Sequence, residues 1–267
     1  MSPKSTRDEK RGLTVLSPED GFRFACRPGL ECFTRCCRDI TIFLTPYDIL
    51  RMKNALNMSS GDFLARHTVT MIGDNGLPVV VLKMQDDDDK NCPFVGSHGC
   101  SIYPDRPWAC RIYPLQPEST QITEKAGKTY YSVMDVPFCR GLAADRTIPL
   151  AEWIQEQGIP VYQEMEVLFK KITADPHLTR EKITNKKIQE MIYMACYDLD
   201  RFRRFVLESS FLERFEVEDQ VVGRIKSDDV ALFRLALQWL EYGLLSQHSL
   251  KVKAGVMAAK KQELGIE

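Results

Sequence analysis

The sequence has almost no net charge. Lys and Arg number 36 and Asp and Glu number 37 in 267 residues. This balance gives no global attraction to nucleic acid or to an acidic membrane surface, so neither is an expected partner. Hydrophobic residues make up 44% and charged residues 27%, which is typical of a globular protein with a hydrophobic core. The length suits one large domain or two small ones.

Long apolar segments are absent as well. The N-terminal stretch MSPKSTRDEKRGLTVL is polar and lacks the apolar core of a signal peptide. No apolar run approaches the roughly 18 residues that a membrane-spanning helix needs. We therefore expect a cytoplasmic protein that does not associate with membranes and that works in a reducing compartment.

The motifs of the common enzyme classes are missing too. There is no glycine-rich phosphate loop, no G-x-S-x-G and no Rossmann fingerprint. The C-x3-C-x2-C spacing of radical enzymes is also absent, because Cys32-x3-Cys36 is followed at once by Cys37. Whether the protein is an enzyme stays open at this point, and no residue stands out as catalytic.

Cysteine, in contrast, is abundant and unevenly placed. Of nine cysteines, only Cys196 lies outside the stretch from Cys26 to Cys139. Disulfides are rare in a reducing compartment, where clustered cysteines more often bind metal or do redox work. The spacing is neither that of a zinc finger nor that of a ferredoxin. The predicted metal ligands are Cys26, Cys32, Cys36, Cys37, Cys92, Cys100, Cys110 and Cys139.

The adjacent pair Cys36-Cys37 indicates how the ligands are used. Neighbouring side chains diverge, so two adjacent thiolates serve two nearby metals more easily than one. Eight ligands then divide as four plus four, in two sites or in one polynuclear site, and the spacing leaves the partition open. His98 is an alternative ligand within the second half of the cluster, although an ordinary loop histidine is the simpler interpretation.

Arginines flank many of these cysteines. Their guanidinium groups could offset the negative charge of a thiolate site and donate hydrogen bonds to sulfur. Arg111, directly after Cys110, is the clearest candidate. Thiolate ligands suit iron as well as zinc. We favour an iron–sulfur cluster over zinc, because clusters tolerate irregular ligand spacing better. The flanking arginines are Arg27, Arg35, Arg38, Arg111 and Arg140.

The predicted fold class is α+β, mostly α. Residues 1–20 are expected to be a flexible tail, residues 21–145 an irregular cysteine-cluster metal-binding domain with a few short strands, and residues 146–267 a helical bundle packed on it. Thr45 and Ser60 are predicted N-caps, residues 78–84 a strand, and residues 120–136 a hairpin turning at Gly127. KKIQEMIYMACYDLDRFRRFVLE is predicted as one long amphipathic helix, and a last helix is expected to begin after the N-cap Ser227.

Two segments together resemble the YkgJ-type cysteine cluster family. They are CFTRCCRDITIFLTPYDILRM and CPFVGSHGCSIYPDRPWACRIYPL, which show the family's cysteine pair, its LT..DI element and its CPF…C.IY..RP..CR.YP element. The resemblance covers about residues 22–140 and implies a domain that chelates zinc or iron. A related cysteine motif occurs in flagellin lysine N-methylases, which implies a link to methyl transfer.

Three functions compete on this basis. The first is a cytoplasmic protein that binds an iron–sulfur cluster, zinc or both through about eight cysteines. The second is an iron–sulfur-dependent enzyme, either a protein lysine N-methyltransferase or an oxidoreductase, which would act on a protein or other substrate. The third is a metal-stapled module that docks a protein partner without catalysis.

Overall fold

The fold is described here from a computed structural model, which covers residues 6–8, 13–118, 129–180, 182–245 and 249–256. It is α+β with helix in excess of strand, as the sequence predicts. The chain forms two units, and it enters each of them twice. The first unit comprises Met1–Ile42 and Lys83–Glu164, and the second comprises Phe43–Leu82 and Met165–Glu267. The domain boundary predicted near residue 145 stays a prediction.

The first unit is built from short elements joined by loops. Its strands are Thr6–Asp8, Leu13–Leu16, Gly21–Arg23, Val95–Gly96, Gly99–Cys100, Leu115–Glu118, Tyr130–Val133 and Thr147–Pro149. Its helices are the single turns Arg35–Cys37, Tyr103–Asp105 and Arg140–Ala143, then Trp108–Ile112 and Leu150–Glu156, and finally Ile159–Thr173, which runs on into the residues of the second unit.

An antiparallel sheet and one helix form the core of this unit. Tyr130–Val133 is the central strand, with Leu16 opposite Tyr131 on one side and Pro117 opposite Tyr131 on the other. Tyr131 is 1% exposed, and its hydroxyl accepts a hydrogen bond from Gln163 at 2.8 Å. Trp153 packs edge-on against Phe22 with ring centroids 5.4 Å apart. This core supports the loops that carry the cysteines.

The N-terminal region differs from the expected flexible tail. Strands Thr6–Asp8 and Leu13–Leu16 lie within it and pair with each other. Leu-Thr-Val-Leu has the alternating, partly β-branched character of a strand, and Leu16 is buried in the core. Residues 1–5 and 9–12 lie outside the described part of the chain. So does Gly127 of the predicted hairpin, although Tyr130–Val133 does pair antiparallel with Leu115–Glu118.

The second unit is mainly helical, with one small sheet of three strands. Its strands are Phe43–Leu44, Thr68–Ile72, Pro78–Leu82, Phe215–Glu216 and Lys251–Val252. Its helices are Pro46–Ala55, Ser60–His67, Pro176–Thr179, Lys186–Cys196, Leu199–Glu208, Phe211–Arg214, Asp219–Arg224 and Asp229–Leu245. Within the described residues, no helix is long and apolar enough to cross a bilayer.

Local sequence signals predict several of these boundaries. Thr45 caps Pro46–Ala55, and Asp48 completes a capping box with it. The strand predicted at residues 78–84 is observed at Pro78–Leu82. The second cap was misplaced by one residue, because Ser59 rather than Ser60 accepts the N–H of Asp62, at 3.1 Å.

Two helix predictions in the C-terminal half need correction. The expected long helix is interrupted after Cys196, and Asp198 caps a second helix, Leu199–Glu208. The last helix begins at Asp229. The N–H of Ala231, in its first turn, donates to the carboxylate of Asp228 at 2.9 Å. Asp228 therefore caps this helix, although Ser227 was the predicted cap.

A network of charges is buried between helices of the second unit. Lys53, whose side chain is 6% exposed, contacts Asp229 at 2.9 Å and Asp200 at 3.6 Å. Arg203 pairs with the same two carboxylates. Burial alone would raise the pKa of Asp200, but the Ser60 N–H and the two cations hold that pKa below its ordinary value. The stabilisation is therefore complete at neutral pH and is lost as the pH falls through the carboxyl range.

Lys53→Met should destabilise the protein strongly. It leaves two partly buried carboxylates with one cation between them, and breaking a buried charge network in this way costs about 3 kcal/mol. Chemical denaturation monitored by circular dichroism at neutral pH measures this cost, with the exposed Lys187→Met as the matched control. Equal stability of the two variants would contradict the network's role.

Candidate metal centre

The structure places all of the predicted ligands in the first unit. Cys26 is exposed, Cys92 is buried, and the other six are partly buried. Cys196 lies in the second unit with no exposed surface. Burial raises the pKa of Cys196 well above that of an ordinary thiol. It behaves as a small core residue, consistent with its omission from the predicted ligands.

Four cysteines form what we call the first thiol group: Cys26, Cys32, Cys36 and Cys139. Burial, followed by the charges of Cys36, Cys139 and Cys32, raises the pKa of Cys26 to about 11. The backbone holds the same segments together. The N–H of Arg140 donates to the Cys32 sulfur at 3.2 Å, and the N–H of Ala25 donates to the carbonyl of Gly141 at 3.0 Å.

The other four form the second thiol group: Cys37, Cys92, Cys100 and Cys110. The N–H of Cys92 donates to the carbonyl of Cys37 at 2.8 Å. Cys100 is paired with Val95 in a two-stranded ribbon, and the N–H of Val95 bonds back to the Cys92 carbonyl at 3.1 Å. The charges of Cys92 and Cys110 both act on Cys37. The turn of the ribbon holds His98, which is exposed.

The adjacent pair joins the two groups. Cys36 and Cys37 lie in the single helical turn Arg35–Cys37, and their thiols are hydrogen-bonded to each other. The hydrogen bond from Cys37 lowers the pKa of Cys36, against the effect of burial. Cys37, as the donor, has its pKa raised by the same bond and by burial. Cys36 is therefore the member of the pair that ionises more readily.

Backbone N–H groups point at several of these sulfurs. Burial raises the pKa of Cys92, while hydrogen bonds from Phe94 and Val95 act against that rise. Cys100 is affected in the same way by the N–H of Ile102. Hydrogen bonds of this kind stabilise a thiolate and tune a metal bound to it. The sequence analysis missed these donors, although a Cys-Pro-Phe turn is a signal that could have found them.

The donor set fits a metal in its chemistry. All eight side chains are thiols, and backbone donors reach sulfurs in both groups. Within the described residues, no three His, Cys, Asp or Glu side chains converge in the arrangement of a finished metal site. Binding would therefore have to draw the thiols of a group together by adjustment of their side chains and loops.

Tyr113 is a further residue that faces the first thiol group. Its hydroxyl is buried and has no hydrogen-bond partner among the described residues. Burial raises the pKa of Tyr113, and the nearby charges of Cys139, Cys36 and Cys32 raise it as well. The hydroxyl therefore stays protonated, and Cys139 is the neighbouring thiol to which it would donate if metal binding drew the group together. The motif CRIYP contains this tyrosine, and the sequence analysis assigned it no role.

Two of the flanking arginines, Arg111 and Arg38, contact groups other than sulfur. Arg111 is 6% exposed, and its guanidinium donates to the backbone carbonyls of Arg106, Gln157 and Pro104. Arg38 pairs with Asp89 at 3.1 Å. A long loop segment has many carbonyls to satisfy, and a guanidinium with five donors can bind several of them at once. Arg111 therefore anchors loops instead of supporting sulfur.

Arg106 interacts electrostatically with two thiols of the second group, Cys100 and Cys110. Burial lowers the pKa of its guanidinium, and the charges of Tyr103, Cys110 and Cys100 oppose that effect. Its guanidinium lies 3.8 Å from the ring centroid of Tyr103, and it donates to the Tyr103 carbonyl at 2.6 Å. Its positive charge is thus held beside the second thiol group.

Residues 25–135, less than half of the chain, match the family model CxxCxxCC, described as a "Putative zinc- or iron-chelating domain". This region carries the cysteine-cluster domain of that family. The match confirms the resemblance seen in the sequence and supports metal binding through cysteine. Cys139 lies just beyond the matched residues, yet the structure groups it with Cys26 and Cys32. No curated protein and no solved structure matched the chain.

Arg111→Ala should reduce stability more than it changes metal affinity. The substitution leaves buried carbonyls unpaired, each at a cost of about 1–3 kcal/mol, while no thiol loses a hydrogen bond. Thermal melting measures the first effect, and metal content after equilibration well below the melting temperature measures the second. The exposed Arg27→Ala, which also lies beside a cysteine, is the control. Loss of metal from folded Arg111→Ala protein would restore the role predicted from the sequence.

Proposed function

We propose that the protein binds iron through two four-cysteine sites, one in each thiol group, and that each site holds an iron–sulfur cluster. The proposal rests on the electrostatic neighbours of the thiols: the charges of Cys36, Cys139 and Cys32 act on Cys26, and those of Cys92 and Cys110 act on Cys37, on which the adjacent Cys36 acts as well. Adjacent thiols that serve different neighbours are suited to two sites close together. The family match supports metal chelation and leaves zinc as the alternative metal.

The origin of the ligands favours iron–sulfur over zinc. Structural zinc sites usually take their ligands as close pairs, such as Cys-x2–4-Cys, from tight turns. The second thiol group contains no such pair, because Cys37, Cys92, Cys100 and Cys110 are widely spaced, whereas the first group contains one, Cys32-x3-Cys36, together with Cys26 and the distant Cys139. When bound, an iron–sulfur cluster supplies one-electron transfer at a potential set by charge, exposure and hydrogen bonds to sulfur. The Phe94, Val95, Ile102 and Arg140 N–H groups are the residues of this chain that would set it.

The assignment of cysteines to sites extends the prediction made from sequence. We assign Cys26, Cys32, Cys36 and Cys139 to one site and Cys37, Cys92, Cys100 and Cys110 to the other. Cys26, the exposed member, is the position at which the first site opens to solvent. A cytoplasmic location, which would keep these thiols reduced, stays a prediction from the N-terminal sequence and the cysteine content.

Metal and sulfide analysis of cysteine variants tests the assignment. Protein purified without oxygen should be brown and contain iron with acid-labile sulfide. Cys32→Ser and Cys92→Ser should each lose about half of the iron, because each removes a ligand from one four-cysteine site. Adding Cys139→Ser to Cys32→Ser should cost no further iron, whereas combining Cys32→Ser with Cys92→Ser should remove nearly all of it.

Cys196→Ser is the control and should retain the full iron content. If the protein is colourless and contains tightly bound zinc without sulfide, the bound metal is zinc and not an iron–sulfur cluster, and the two-site assignment is then tested by the same variants. If Cys32→Ser alone removed all of the metal, the two groups would form a single polynuclear site. Loss of metal from Cys196→Ser would mean that the ligands were misidentified.

Tyr113→Phe should weaken the first site alone. It deletes the buried hydroxyl beside Cys139, which would donate to that sulfur in the metal-bound site, and keeps the aromatic ring. Loss of one outer hydrogen bond to a metal ligand typically costs about tenfold in metal affinity. Competition with a chelator measures that loss. Tyr103→Phe, at an exposed ring, is the matched control. A metal-release curve identical to that of the unaltered protein would show that the hydroxyl does not support Cys139.

A further inference from the structure

Exposed apolar side chains of the second unit concentrate on one small sheet. Its strand order is Phe43–Leu44, Pro78–Leu82, Thr68–Ile72, and both pairings are antiparallel. Val81 lies opposite Phe43 on one side and opposite Val69 on the other, and Val79 lies opposite Met71. Directly opposed residues share a face. Phe43, Val69 and Met71 are 59%, 48% and 47% exposed.

Thr68–Ile72 is an edge strand of this sheet. Among the described residues, its only strand neighbour is Pro78–Leu82. The N–H of Gly73 donates to the carbonyl of Leu77 at 2.9 Å, which sets the alternation of the hairpin. Hydrogen-bonded positions recur at every second residue, so the N–H and C=O groups of Val69 and Met71 bond to strand Pro78–Leu82. Those of Thr70 and Ile72 point away from the sheet, toward its open edge.

The alternation agrees with two independent details. Ile72 lies opposite Pro78, which has no N–H to give, as expected for a pair that does not exchange hydrogen bonds. The N–H of Thr68 is used by the preceding helix, where it donates to the carbonyl of Leu64. The outward donors of the edge are therefore Thr70 and Ile72, and the outward acceptors include Thr68.

This edge lacks the usual protection against strand addition. Edge strands of soluble proteins commonly carry a charge, a proline or a bulge that prevents pairing with another chain. Thr-Val-Thr-Met-Ile has neither charge nor proline, and its pairing with Pro78–Leu82 runs without a bulge. Its β-branched residues favour an extended strand. Such an edge can accept a further strand along its whole length.

We propose that the edge pairs with the same strand of a second copy of this chain, antiparallel and centred on Thr70. In this register the N–H of Thr70 donates to the carbonyl of Thr70 of the second copy. The N–H of Ile72 donates to the carbonyl of Thr68 of the second copy. The two-fold axis repeats both bonds, so every outward donor of the edge finds an acceptor. Val69 then lies beside Met71 of the second copy, which extends the apolar face across the dimer.

Charge at the two ends of the strand favours this partner and this antiparallel orientation. Arg66 lies in the last turn of helix Ser60–His67, directly before the strand, and Asp74 lies in the turn after it; both are exposed. An antiparallel pair places the start of one strand beside the end of the other, so the two-fold axis brings the Arg66 end of each copy near the Asp74 end of the other. Only a second copy supplies both charges at these positions, so the edge is complementary to itself.

Sedimentation velocity of the full chain over a wide concentration range, with reductant to prevent disulfide-linked dimers, tests the proposal. We expect a reversible monomer–dimer equilibrium. Arg66→Asp should raise the dimer dissociation constant about tenfold, because each of the two attractive pairs becomes repulsive. Asp74→Arg should have the same effect, and the combined charge swap should restore dimerisation. Arg204→Asp, an exposed charge reversal on another helix of the same unit, should leave the constant unchanged.

Backbone pairing is tested at the centre of the strand. Thr70→Pro removes the outward N–H of Thr70 without removing a bond to Pro78–Leu82, and it should abolish the dimer. Thr70→Val keeps the N–H and should dimerise normally. Circular dichroism confirms that each variant is folded. A chain that stays monomeric at all concentrations would overturn the proposal. So would a dimer that is indifferent to the charge swap and to Thr70→Pro, since its interface would then lie elsewhere.

Discussion

Two adjacent thiols serve two nearby metals more easily than one, and the sites proposed around Cys36 and Cys37 follow from this constraint. Both cysteines lie in the single turn Arg35–Cys37. Segments from distant parts of the first unit approach this turn: Cys26 lies near Cys36 and Cys139, and the Cys92 segment is bonded through its backbone to Cys37. Metal binding at the proposed sites would draw these thiols together by adjustment of their loops, which can bend toward a central turn where helices and strands could not. The proposed pair of sites depends on this turn.

Backbone amides and burial, more than arginine side chains, control the electrostatics of these thiols. An N–H group in a tight turn is already positioned when the chain folds, whereas a guanidinium on a long side chain loses conformational freedom to reach sulfur. The arginines near the cysteines serve the loops instead. Arg111 binds the carbonyls of three residues, and Arg35 lies over the ring of Phe138 at 4.9 Å. In a unit with few long helices or strands, many backbone carbonyls lack a partner in regular structure. Arginine side chains bond to these carbonyls more than they bond to sulfur.

The helical unit shows where local sequence signals are overridden. The capping box at Thr45 formed as predicted because all of its atoms lie within one turn of the chain. The helix predicted to be continuous is interrupted near Asp198. This residue caps the next helix and accepts a hydrogen bond from the Ser60 hydroxyl at 2.6 Å. The Ser60 hydroxyl makes this contact and the Ser60 N–H donates to Asp200, so Ser59 caps the helix that begins at Ser60. Both errors come from contacts between residues about 140 positions apart, which no local pattern encodes.

Residue types and their periodicity indicated the mixed fold with helix in excess, the eight candidate ligands and the separate character of Cys196, and two motif segments showed the resemblance to the cysteine-cluster family. These features depend on which residues are present and on their immediate neighbours. The proposed division of the thiols into two groups, the amide donors to sulfur, the position of Tyr113 and the anchoring role of Arg111 depend on contacts between distant segments, as does the open edge of Thr68–Ile72. The sequence determines which groups are able to form hydrogen bonds or bind metal. Which of these groups lie close together depends on the tertiary structure, because bringing distant segments together costs loop entropy that the packing of the whole core must offset.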